Sequence, residues 1–85
     1  MKDYDVLINP LTTEKSVRLI ESQNKLVFVV SPKSTKNDVK KATESMFNVK
    51  VKAVNTHITK GRKVAFITLK PEFSALDVAT KLGIL

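Results

Sequence analysis

One segment near the middle of the chain constrains the fold more than any other. Residues Lys25 to Ser31 have the sequence Lys-Leu-Val-Phe-Val-Val-Ser, with five consecutive apolar residues. Successive residues of a strand point to opposite faces of a sheet, so this strand would bury both of its faces. The run is also far shorter than the ~20 residues of a membrane span. We therefore predict a central strand with structure packed on both sides, and no stable membrane insertion.

Three amphipathic segments are predicted to form helices. Thr12 or Thr13 is suited to cap the first, because a threonine hydroxyl accepts from the free N–H groups of a first turn. Thr35 with Asp38 at the third helical position resembles a capping box at the second, and Ser74 begins a similar pattern at the third. Apolar residues recur at helical spacing after each cap. The helices are predicted to end at Asn24, Asn48 and Gly83.

The other apolar segments are predicted to be strands. Residues 4–9 form a short strand closed by Pro10. Residues 49–59 and 64–69 form a hairpin, joined by a turn over Lys60 to Lys63 in which Gly61 supplies backbone freedom.

The apolar phase of the 49–59 strand changes partway along it. A bulge near residues 53–55 would explain the change, because one extra residue exchanges the two faces. The predicted order is β-α-β-α-β-β-α. We expect one small α+β domain over residues 1–85, with a mainly antiparallel sheet of about four strands and three helices.

The positive charge is confined to one part of the chain. The whole chain carries a formal charge of +7, whereas residues 1–24 carry −1, residues 64–85 carry zero and residues 25–63 carry +8. A local field of this strength attracts polyanions, and nucleic acid is the commonest of them. The alternative is a solvated basic surface that only aids solubility.

Three basic groups are candidates for RNA phosphates. One surrounds the start of the second helix, where phosphate would meet both lysine charge and free helix N–H groups. The second projects from a strand, and the third occupies the hairpin turn. The candidates are, in this order, Lys33, Lys36, Lys40 and Lys41; Lys50 and Lys52; and Lys60, Arg62 and Lys63.

A polar set lies beside the predicted bulge. Asn55 and Thr56 have groups that bond sugar hydroxyls or base edges, and His57 can stack on a base. Alternatively, Asn55 satisfies backbone groups at the bulge. Aromatic residues make up only 6% of the chain and most Phe occupy core-like positions. We therefore expect recognition of phosphate and of RNA shape, with no stacking platform for single strands.

Enzymatic and metal chemistry find little support in the sequence. The chain has one histidine, His57, and no cysteine. No partner for acid–base chemistry, no transition-metal ligand set and no phosphate-cradling glycine loop is evident. We expect no enzyme activity, no metal and no cofactor. The lack of cysteine and of an apolar N-terminal run suits a cytoplasmic protein.

Four segments together resemble large-subunit ribosomal protein family twenty-three. The Thr-Glu-Lys-Ser and Val-Asn-Thr motifs are the most specific parts of the likeness, which covers nearly the whole chain. The segments are Ile8–Ser16, Asn24–Val30, Ser34–Ala42 and Phe47–Thr56.

This resemblance implies a place for the chain in the cell. Family members bind large-subunit rRNA beside the exit of the nascent-peptide tunnel and neighbour a ribosomal protein of family twenty-nine. They help to dock the signal recognition particle, the translocation channel or chaperones. Many bacterial members carry a long hairpin loop, whereas residues 59–63 are short and a C-terminal helix follows. The likeness is therefore to an archaeal-type member.

The resemblance also implies roles for individual residues. It assigns RNA contacts at the first helix start to Thr13 and Lys15, although that part of the chain is net negative. Glu14 matches a position that faces exit-site factors, but it also suits a first helical turn, where the dipole favours an anion. The other matched positions are Lys33, Lys36, Asn55 and Thr56.

The alternative function for the whole chain is that of a non-ribosomal protein-interaction module with a solubilising basic surface.

Overall fold

A four-stranded antiparallel sheet organises the protein. The computed structural model describes residues 3–84, and side chains from Asp5 to Ile84; Met1, Lys2 and Leu85 lie outside the described residues. The strands lie in the order β1-β2-β4-β3. The elements are α1 (Asp3–Val6), β1 (Leu7–Pro10), α2 (Glu14–Gln23), β2 (Lys25–Val30), α3 (Lys36–Phe47), β3 (Val51–Thr59), β4 (Arg62–Leu69) and α4 (Ala75–Lys81).

The predicted fold class is confirmed. The order β-α-β-α-β-β-α corresponds to β1, α2, β2, α3, β3, β4 and α4, and α1 is one additional helical turn. The strand β2 is central, pairing with β1 on one side and β4 on the other. Leu26 through Val30 are all buried, as the apolar run predicted. No helix among residues 3–84 is both long and apolar enough to cross a membrane.

The N-terminal strand is shorter than predicted. The expected strand over residues 4–9 is wrong in its first half, because α1 occupies residues 3–6 and β1 begins at Leu7. Val6 and Leu7 are both buried in the same core. Consecutive strand residues would point to opposite faces, and a helical turn before Leu7 removes that conflict.

The hydrophobic core lies on one face of the sheet, called here the inner face. Helices α3 and α4 supply Val39, Ala42 and Val78 to it. Phe28 of β2 stacks on Phe47 of α3, with ring centroids 5.8 Å apart. Burying such side chains stabilises the fold by about 1.5–3 kcal/mol for each large one. The inner-face strand residues in this core include Leu26, Phe28, Val30, Val51, Ala65, Ile67 and Leu69.

Local capping residues begin and end the helices as predicted. Thr13, and not Thr12, caps α2 and accepts from Ser16 N at 3.2 Å. Thr35 and Ser74 cap α3 and α4 by accepting from Asp38 N and Asp77 N. Asn24 and Asn48 end α2 and α3 in the left-handed conformation, each with φ of 55°.

The hairpin and the bulge are both displaced from their predicted positions. The turn contains only Lys60 and Gly61, both with positive φ, so Arg62 and Lys63 belong to β4. Positive φ at both central residues suits the right-handed twist of a two-residue hairpin. The irregularity in β3 lies between Val51 and Ala53, earlier than expected. It exchanges the faces of all the residues that follow.

Candidate nucleic-acid interface

A groove runs between helix α2 and the β3–β4 hairpin, on the face of the sheet opposite the core. We call this face the outer face and the groove the α2–hairpin groove. Its two halves have volumes of about 460 and 230 Å³. Lys15, His57 and Phe66 line both halves, so the two depressions adjoin along these three side chains.

Strand register places the aromatic floor of the groove. Phe66 of β4 lies between Val27 of β2 and Asn55 of β3, and all three share the outer face. His57 lies opposite Val64 on the same face. The His57 and Phe66 rings meet edge to face, with centroids 5.3 Å apart and planes at 75°. Such pairs hold aromatic rings in defined positions.

Three cations surround this floor. Lys15 projects from α2 and lines both halves. Arg62, the first residue of β4, lines the larger half, and Lys25, the first residue of β2, lines the smaller half. No Asp or Glu among residues 5–84, whose side chains are described, lines either half. The groove therefore presents positive charge around an aromatic floor.

Asn55 belongs to the groove and not to the bulge. Its side chain is exposed, lines the smaller half and forms no hydrogen bond with another described residue. The backbone at the bulge is served instead by Glu44, whose Oε2 accepts from Val51 N at 2.9 Å. The alternative role of Asn55, satisfying backbone at the bulge, is wrong because Glu44 performs it.

Thr56 and Lys63 point to the inner face, away from the groove. Thr56 pairs with buried Ala65 and is itself half-buried. Lys63 is half-buried, and its Nζ donates to Ser34 O at 2.6 Å. The polar set predicted around position 56 is therefore divided between two faces, because successive strand residues alternate.

The lysines of α3 lie on the other side of the sheet from the groove. Lys36 and Lys40 are exposed, while Val39 and Ala42 of the same helix enter the inner-face core. The structure therefore forms two separate basic regions. The candidates that it leaves exposed outside the groove are Lys33, Lys36, Lys40, Lys41, Lys50, Lys52 and Lys60.

The α3 N-terminus already holds an anion. The Asp38 carboxylate accepts from Thr35 N at 3.0 Å. This backbone hydrogen bond lowers the pKa of Asp38 below its ordinary value. The free N–H groups predicted to help bind phosphate there are therefore partly occupied, and the neighbouring lysines are left to act through their side chains.

Helix α2 presents a second surface beside the groove. Glu14 is exposed, and its Oε2 lies 3.8 Å from Arg18 Nη2. With Thr12, Thr13 and Val17 these residues line a depression of about 410 Å³. Neighbouring helical residues project about 100° apart, so Glu14 and Lys15 face different surroundings. The Thr13 hydroxyl takes part in the helix cap.

Two groove residues were missed by sequence reasoning. The sequence places most Phe in core-like positions without separating Phe66 from them, and it places Lys25 at the start of a buried strand. The alternation in β4 held a signal, because Ala65, Ile67 and Leu69 fit a fully buried face and leave Phe66 on the other. For Lys25 only the pairing with Thr68 reveals its face.

Among residues 3–84, no cluster of three or more His, Asp or Glu is placed to hold a metal ion.

Comparison with known proteins identifies the family. The family model described as "Ribosomal protein L23" matches residues 5–75. The chain is 52% identical to "Large ribosomal subunit protein uL23" of Methanothermobacter thermautotrophicus, over 99% of both chains. It is 49% identical to the protein of that name from Methanococcus vannielii and 51% identical to that from Methanococcus aeolicus, again over 99% of both chains. These archaeal relatives confirm the resemblance of the four segments and the prediction of a ribosomal protein without enzyme activity. The chain belongs to the ribosomal protein L23 family.

Proposed function

We propose that residues 1–85 act as one rRNA-binding domain of the large ribosomal subunit, beside the exit of the nascent-peptide tunnel. The observation that carries this proposal is the charge of +8 within residues 25–63, between nearly neutral ends. Family membership supplies the ribosomal context. Fields of this kind favour the phosphate backbone of nucleic acid.

The distribution of the cations supports a protein held between RNA segments. The domain measures only 28 × 25 × 21 Å. Its α2–hairpin groove carries Lys15 and Arg62 on the outer face, while Lys36 and Lys40 lie beyond the inner face. A protein resting on one RNA helix needs cations on one side only. Cations on two sides suit contact with more than one rRNA segment.

Helix α2 has the geometry to join an RNA side and a factor side. Lys15 lines the groove, whereas Glu14 lies in the exposed depression with Val17. We assign this depression to the docking of the signal recognition particle, the translocation channel or a chaperone. The adjacent partner in the subunit would be the ribosomal protein of family twenty-nine.

A salt-dependent titration against large-subunit rRNA fragments tests RNA binding. For the wild-type chain, log affinity should fall with log salt by about 0.7–0.9 for each phosphate contacted. The double reversal Lys36→Glu with Lys40→Glu should weaken binding strongly. Reversing Lys70 and Lys81, exposed residues of the neutral C-terminal part, alters net charge equally and is the matched control. Equal losses from the two double variants would contradict the assignment of α3, and an affinity insensitive to salt would favour the solubilising alternative.

Co-sedimentation with large subunits tests the ribosomal and docking roles. The chain should sediment with subunits lacking their own copy. Glu14→Lys should reduce factor binding to the rebuilt subunits and leave incorporation unchanged. Glu21→Lys makes the same charge change at another exposed position of α2 and serves as the control. Normal factor binding by the Glu14 variant would exclude this docking assignment.

A further inference from the structure

We propose that the α2–hairpin groove receives one unpaired base of the bound RNA, which packs against Phe66 and His57. This inference rests on the proposed RNA-binding function and specifies what one part of the surface recognises. It also revises the expectation that phosphate and shape alone are recognised. A base without a pairing partner can leave its stack and offer a flat face to the protein.

The position of Phe66 is the first argument. Phe28 lies in the core, and Phe47 and Phe73 pack against it. Phe66 stands outside that cluster, half-buried on the outer face beside exposed His57. Aromatic rings at an open surface give a base something to stack on, whatever its sequence.

The charge around the rings is the second argument. Lys15, Lys25 and Arg62 stand around the groove, and no acid among the described residues lines it. A phosphate contact needs only the cations. Cations around an aromatic floor fit a whole nucleotide, with its base inside and its phosphates at the rim.

The size and polar equipment of the groove are the third argument. The larger half, about 460 Å³, falls within the ~300–1,000 Å³ typical of sites for small organic ligands. On the α2 side of the groove, Leu11 lines the larger half and Leu19 lines the smaller half, and both supply apolar contact. The exposed Asn55 amide has no hydrogen-bond partner among the described residues and is free to bond a base edge.

The test compares two probes that carry the same phosphates. One is a short single-stranded adenosine oligonucleotide, and the other is the same oligonucleotide with abasic sites at every position. The full wild-type chain should bind the base-bearing probe on the order of tenfold more tightly. The ring resonances of Phe66 and His57 should shift with that probe and stay in place with the abasic one.

Variants assign the preference to the groove. His57→Ala should lower the preference several-fold while affinity for the abasic probe is retained, and His57→Tyr should restore it. Asn55→Ala changes a second exposed groove residue. It keeps the test decisive if the substitutions of His57 disturb the fold. Leu76→Ala truncates an exposed side chain of α4, away from the groove, and should change neither affinity.

The failure of this inference is distinguishable from that of the proposed function. Equal affinities for the two probes, with steep salt dependence for the rRNA fragment intact, would overturn the base-binding groove alone. A preference that survives His57→Ala and Asn55→Ala would overturn it also. Loss of all salt-dependent rRNA binding in the wild-type chain would overturn the proposed function and this inference with it.

Discussion

Oδ1 of Asn24 accepts a hydrogen bond from the backbone N–H of Ala75 at 2.7 Å, although the two residues are 51 positions apart in the chain. The Nδ2 atom of Asn24 donates to Phe73 O at 2.8 Å. Asn24 thus ends α2 through its left-handed backbone, and its side-chain amide fixes the segment that begins α4. In doing so it satisfies backbone groups that precede or start a helix.

The first prediction concerns this amide. Asn24→Gly keeps the left-handed backbone available and removes the bonds to Phe73 and Ala75, so it should lower the free energy of unfolding by about 1–3 kcal/mol. The matched control is Asn48→Gly, because Asn48 ends α3 with the same φ of 55°. The control should be close to neutral, since glycine adopts positive φ freely. Urea denaturation gives both values, and equal midpoints would contradict the role of the Asn24 side chain.

The second prediction concerns the bulge in β3. Glu44 accepts from the backbone N–H of buried Val51, so Glu44→Ala leaves that group without its partner. The free energy of unfolding should fall by about 1–2 kcal/mol, and Glu44→Gln, which keeps an acceptor oxygen, should recover most of it. Glu21→Ala removes an exposed helical glutamate and should stay within about 0.5 kcal/mol of wild type. Thermal and urea unfolding would test this series, and a Gln variant as unstable as the Ala variant would argue against the bond.

The third prediction concerns acid. The Thr35 backbone N–H lowers the pKa of Asp38 in the folded protein. A lowered folded-state pKa gives stability that is present above the unfolded pKa, about 3.9, and is lost as pH falls through the folded value. The wild-type chain should therefore be more stable than Asp38→Asn at neutral pH, and the difference should shrink below about pH 4. Urea midpoints measured from neutral to acidic pH give this difference, and a constant gap would rule out the linkage.

The fourth prediction separates two neighbouring cations of β4. Arg62→Met should leave stability within about 0.5 kcal/mol and reduce the salt slope of rRNA binding by about 0.7–0.9, the contribution of one phosphate contact. Lys63→Met removes the donor to Ser34 O and should cost about 1 kcal/mol of stability with the slope unchanged. Each variant is the control for the other. An unchanged slope in the Arg62 variant would place its side chain away from phosphate.

Local signals explain why most elements were predictable. Threonine and serine caps, asparagine ends and the apolar run of β2 act within about four residues, and the sequence displays them directly. The short helix α1 lacked such a signal. What fixes it is the need to bury Val6 and Leu7 together, which is a property of packing.

The candidate site was less predictable because its parts come from distant segments. The charge pattern identified Arg62 and the family resemblance identified Lys15. Only strand pairing brings Phe66 beside His57 and turns Thr56 away. The displaced bulge decides these faces. A shift of one residue would have exchanged every side chain that follows.

The two-residue turn of Lys60 and Gly61 has a consequence for how this domain can vary in length. The pair Thr59 and Arg62 closes the β3–β4 ladder before the turn begins. Apart from Gly61 itself and its two chain neighbours, no described residue has an atom within 4 Å of a Cβ placed on Gly61. Inserted residues would therefore extend into open space, and each doubling of a flexible loop costs only about 0.6 kcal/mol. This tip is the natural place to graft a reporter peptide, and a lineage could lengthen the hairpin there without rebuilding the core.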